Sequence, residues 1–98
     1  MSVYPDKLRL RFLEDHSKWE DLKGSGLIAF LNIIKETWNS DYGVFSLKGK
    51  NVLRLELHTG GWSGNEDIIQ SLKENLTFWG MYWQRSDRGG HYYFKMKP

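Results

Sequence analysis

His58-Thr59-Gly60-Gly61-Trp62-Ser63-Gly64-Asn65-Glu66-Asp67 joins two stretches of different periodicity. Before it, Val52-Leu53-Arg54-Leu55-Glu56-Leu57 alternates apolar and polar with period two, the pattern of a strand with one buried face. After it, Ile68, Ile69, Leu72 and Leu76 recur at helical spacing. Gly60, Gly61 and Gly64 open backbone angles that are closed to other residues. Ser63 and Glu66 form S-x-x-E, which predicts a capping box at the start of a helix over about 64–75.

Working outward, Val44-Phe45-Ser46-Leu47, the turn Lys48-Gly49-Lys50-Asn51 and Val52–His58 read as a β-hairpin. Downstream, Thr77-Phe78-Trp79-Gly80-Met81-Tyr82-Trp83-Gln84 reads as an aromatic strand. Asp87-Arg88-Gly89-Gly90 turns it back into His91–Lys97. Upstream of a loop at Asn39–Gly43, Ser25 is placed to cap a helix over roughly 26–38. Its stripe of Leu27, Leu31, Ile34 and Trp38, widened by Phe30 and Ile33, marks it as the central core helix. Ser17-Lys18-Trp19-Glu20 is a second capping box, opening a short helix that Gly24 ends. Lys7–Leu13 alternates basic and apolar and is read as extended, although Leu8, Phe12 and Trp19 also fit a helix. The order α-ββ-α-ββ, with a possible extra N-terminal strand, predicts an α+β fold. Two main helices would pack on one face of an antiparallel sheet of about four strands.

Ninety-eight residues make one domain, 1–98, and fifteen aromatics (five each of Trp, Tyr and Phe) offset the small core. The chain has no cysteine, which excludes disulfides and thiol chemistry. The start Met1–Lys7 lacks signal-peptide character, and the apolar run from Leu27 to Ile34 is too short to span a bilayer. A cytoplasmic location without membrane attachment is the expectation. The net charge of +2 is too small to mark a nucleic-acid binder. Its distribution is uneven: Arg85, Arg88, Lys95 and Lys97 stand against Asp87 alone in residues 76–98.

Strand phase places Leu53, Leu55 and Leu57, and Tyr92, Phe94 and Met96, towards the core. Outward would lie Arg54, Glu56 and His58, and His91, Tyr93 and Lys95. The 77–84 stretch resists division, because Trp79, Met81 and Trp83 oppose Phe78 and Tyr82. A strand aromatic on both faces is either covered twice or exposes a patch that needs a partner.

Thr59–Glu66, the pairs Phe78-Trp79 and Tyr82-Trp83, and Arg88–Phe94 resemble small uncharacterised proteins encoded by bacteriophages and prophages. The resemblance covers about 53–95 and implies a host cytoplasm and a small accessory role, with no catalytic residue to carry over.

Three kinds of chemistry are open to these residues. The 59–66 loop has the form of an anion cradle assisted by Arg85 or Arg88, or of a tight connection with Trp62 folded over the helix start. His58, Glu56 and His91, with Glu66 or Asp67, have the residue types of a metal-dependent nuclease or hydrolase, but no standard ligand spacing. The outward row of Arg54, Tyr82, His91, Tyr93 and Lys95, with Arg85 and Arg88 at its end, suits a protein partner, self-association or single-stranded nucleic acid. The leading expectation is a non-enzymatic module without cofactor that binds a host protein or a second copy of itself. Trp62, Ser63, Asn65, Tyr82, Arg85, Arg88, His91 and Tyr93 are its candidate binding residues.

Overall fold

Leu53, Leu55 and Leu57 are buried, Arg54 is exposed, and Glu56 and His58 are half-buried, so the period-two run is a strand with one core face. The computed structural model describes residues 6–15, 22 and 24–98. Its elements are α1 (Lys7–Glu14), α2 (Gly24–Thr37), β1 (Val44–Lys48), β2 (Leu53–His58), α3 (Ser63–Glu74), α4 (Leu76–Tyr82), β3 (Trp83–Asp87) and β4 (His91–Met96). Two hairpins, β1–β2 and β3–β4, join through β2 and β4 into one antiparallel sheet of order β1-β2-β4-β3. The fold is α+β, as the element order predicts. Buried residues of all four helices form one cluster with Leu53, Leu55, Leu57, Phe94 and Met96, which places the helices on one face of the sheet. Among the described residues, no helix is long and apolar enough to cross a membrane.

Four local expectations need correction. Lys7–Leu13 is helical, not extended: the Asp6 carboxylate accepts from the Leu8 N–H at 2.8 Å, and Leu13 is fully buried with Leu10 partly so. The i, i+3 pair Leu10–Leu13 is the inward stripe, while Leu8 and Phe12 are exposed. The second correction concerns α2, which begins at Gly24, whose φ of 54° brings the chain into the helix; Ser25 is therefore inside the first turn. The predicted stripe does face inward, with Leu27, Phe30, Leu31 and Ile34 buried and Trp38 beyond them. Ser17-Lys18-Trp19-Glu20 and His16 lie outside the described residues.

The third correction is the largest. The aromatic stretch is not a strand: 76–82 is helix, and β3 starts only at Trp83. Asn75 closes α3 and opens α4, its Oδ1 accepting from the Phe78 N–H at 3.0 Å while its Nδ2 donates to the Leu13 carbonyl at 2.9 Å. Phe78 and Tyr82, at i and i+4, both enter the core, and Trp79 stacks on Trp83 at 6.1 Å. The apparent two-sided strand is thus mostly a helix of about two turns.

Fourth, the capping box at Ser63 does not form. Trp62 is the cap of α3 and its side chain does not bond the helix start, while the Glu66 N–H goes to the Trp62 carbonyl at 3.1 Å. Ser63 is one residue too late to cap. Tertiary contact holds the loop instead, because a Cβ on Gly60 (φ 65°) would strike the Tyr42 carbonyl oxygen.

Candidate functional site

Alternation along β2 and β4 leaves Arg54, Glu56, His58, His91, Tyr93 and Lys95 on the face away from the helices, and register assembles them into rows. Lys48, Arg54 and Lys95 stand directly opposite one another on three neighbouring strands. All three are exposed, and among the described residues none is in an ion pair. Like charges so placed repel one another and destabilise the sheet.

The next row is Ser46, Glu56, Tyr93 and Arg85. The Arg85 guanidinium lies over the Tyr93 ring, 4.4 Å from its centroid, and Nη2 is 3.1 Å from the Asp87 carboxylate. Tyr93 first and Asp87 second push the Arg85 pKa further above its already high value, so the group stays cationic. Arg54, Glu56, Gln84, Arg85, Tyr93 and Lys95 line a depression of about 360 Å³. The third row is Val44, His58, His91 and Asp87. Here His58 Nδ1 lies 2.7 Å from His91 Nδ1, and His58 Nε2 lies 3.5 Å from Glu56 Oε1.

Of the candidate binding residues, Arg85, His91 and Tyr93 come together on this face, and exposed Arg88 sits in the β3–β4 turn beside it. Tyr82 does not join them. It is buried on α4, its hydroxyl donating to the Leu22 carbonyl at 2.6 Å, because the helical period carries it to the core side. Asn65 is also buried and serves as a clamp. Its Oδ1 accepts from the Asn39 N–H at 2.9 Å, and its Nδ2 donates to the carbonyls of Asn39 and Thr59 at 3.1 and 3.3 Å.

Ser63 is exposed on the first turn of α3. Trp62 is half-buried, stacked on Tyr42 at 5.5 Å and 14°, and its ring fills the space that a side chain at Gly64 would need. That is the tucked arrangement of a tight strand-to-helix connection. Tyr42, 58% exposed, carries the stack to the surface at the sheet end where β2 stops and β4 begins.

Lys48, assigned to the first turn by its sequence, is the member of the cationic row that sequence reading missed. The signal was the hairpin register, which a five-residue β1 pairing with β2 sets and a turn assignment hides. The metal reading joins His58, His91 and Glu56 to Glu66 or Asp67. Among the described residues, no three histidine or carboxylate side chains gather into such a set. Comparison with protein-family models, with curated proteins and with solved structures gave no match for this chain.

Proposed function

We propose that this protein is a non-enzymatic binding module whose outer sheet face takes an acidic segment of a partner protein. In this reading it is a phage or prophage accessory protein working in the host cytoplasm, the setting that the resemblance drawn from the sequence of residues 53–95 implies. The observation that carries the reading is the row Lys48–Arg54–Lys95, three exposed cations abreast with no ion-pair partner among the described residues. A carboxylate-bearing segment lying across the strands relieves that repulsion, and Arg85, held by Tyr93 and Asp87, offers a pre-ordered fork to a carboxylate.

Two alternatives fit less well. Base stacking on Tyr93 requires displacing Arg85 from the ring it covers, which argues against a single-stranded nucleic-acid platform. Self-association through this face would set one cationic row against another. The Tyr42–Trp62 stack adds a partly exposed aromatic contact at the end of the sheet.

The test compares a labelled octaglutamate peptide with a single-stranded oligothymidylate of matched charge by fluorescence anisotropy, on the wild type and on Arg54→Glu. Peptide binding that weakens with salt and disappears in Arg54→Glu is the expected result. Tighter binding of the oligonucleotide replaces the partner class, and binding of neither probe removes the proposal.

A further inference from the structure

We infer that His58 and His91 form a two-histidine chelate for a divalent transition-metal ion, at the opposite end of the outer sheet face from the Lys48–Arg54–Lys95 row. The two residues are register partners on the central strands, so a stiff pair of backbones fixes their separation. The two Nδ1 atoms face each other 2.7 Å apart, and the rings meet edge-on with centroids 4.9 Å apart. In the metal-free molecule one proton sits between them. The Glu56 carboxylate beside His58 Nε2, at 3.5 Å, favours a proton on that nitrogen and leaves His58 Nδ1 as a lone pair. His91 Nδ1–H is then the donor.

A metal ion takes the place of that shared proton. His91 moves its proton from Nδ1 to Nε2, so no net proton is lost, and both Nδ1 lone pairs become ligands. Metal–nitrogen bonds of about 2.0–2.1 Å at tetrahedral or square-planar angles need the nitrogens about 2.9–3.3 Å apart. The Nδ1 atoms stand 2.7 Å apart, so metal binding opens the pair by a few tenths of an ångström. Gly89 packs beside His91, where an added Cβ would come within 3.2 Å of Nε2, so its lack of a side chain leaves that nitrogen room to carry the proton.

Glu56 then has the place of the carboxylate that orients a metal-bound imidazole through its far nitrogen. It is a positioning residue and not a ligand. The half-buried His58 keeps one side of the site open, and water or an anion fills the remaining positions. Imidazole pairs select zinc, nickel or copper over magnesium or calcium.

The experiment titrates the full chain with Zn²⁺ and with Ni²⁺, following the thermal midpoint and the imidazole nitrogen resonances, with Mg²⁺ as control. The expected result is a saturable rise in midpoint of about 5 °C, reversed by chelator and absent with Mg²⁺. The rise disappears in His91→Phe, and Glu56→Gln weakens Zn²⁺ about tenfold. In the wild type the Nδ1 resonances of both histidines move together, a readout that does not depend on any variant folding. A rise that survives in His91→Phe, movement at Nε2 in place of Nδ1, or no response to either metal overturns the site and leaves 2.7 Å as a plain N–H···N hydrogen bond. Octaglutamate binding in the presence of chelator is unaffected by any of these outcomes, so failure here and failure of the acidic-segment reading are told apart.

Discussion

Tyr82, Asn65 and Asn75 do work that their residue types alone do not announce. Each is buried, and each ties together segments far apart in the chain: Tyr82 to Leu22, Asn65 to Asn39, and Asn75 to Leu13. A buried polar group that keeps its hydrogen bonds adds little net stability, but leaving its partner unsatisfied is expensive. Tyr82→Phe strands the Leu22 carbonyl and is expected to lower unfolding free energy by about 1–2 kcal/mol at pH 8 in urea titrations. Burial raises the Tyr82 pKa above 10.0, its value in the unfolded chain. Its contribution to stability is therefore complete below that value and disappears as pH climbs through the folded one. Above pH 10.0 the wild type should lose stability with rising pH more steeply than Tyr82→Phe, and parallel pH profiles would count against this account. Sequence reading gave Asn65 and Tyr82 to a binding surface because a polar tip on a loop or strand reads as exposed. Their acceptors lie up to 60 residues away, beyond the reach of any local pattern.

Helix α4 is where local preference and the folded chain disagree. Seven residues with three aromatic rings favour a strand, yet Phe78 and Tyr82 at i, i+4 fill the core from a helix that Asn75 caps. The i, i+4 spacing was in the sequence all along. Period two fits the same residues, and a seven-residue stretch is too short to separate the two. Gly80 lies inside α4, and a Cβ added there meets nothing within 4 Å. Gly80→Ala should therefore stabilise the protein by about 0.5–1 kcal/mol, raising the thermal midpoint by roughly 2–8 °C. No gain would argue against a helix at this position. The same ambiguity explains Lys7–Leu13, where alternating residues conceal the Leu10–Leu13 stripe.

Over the molecule as a whole, one sheet face is spent on the core and the other carries charge in rows. The cationic row predicts a stability cost that a pure scaffold would have no reason to keep. Arg54→Glu converts Lys48–Arg54–Lys95 into two opposite-charge neighbours, and should raise stability by about 0.2–1 kcal/mol per pair while abolishing acidic-peptide binding. Salt gives a second check on the same row. Raising sodium chloride from about 0.01 to 1 M shortens the screening length from roughly 30 to 3 Å, which should stabilise the wild type and not Arg54→Glu. Equal salt responses in the two proteins would remove the argument from repulsion.

Much of this fold can be read from short windows: the leucine alternation of 53–57, the stripe of 27–34, the existence of turns after β1 and β3 though not their first residues, Lys48 and Asp87, which are strand, and so the α+β class with two hairpins. Those features follow from how one element hides its own apolar side, a property of neighbours along the chain. The pairing of β2 with β4, which puts Arg54 beside Lys95 and His58 against His91, has no such signature. It depends on which hairpin edges meet once four helices have covered the leucines, a sum of contacts across the whole chain. The cationic row and the histidine pair exist because of that meeting, and residues more than thirty positions apart become neighbours there.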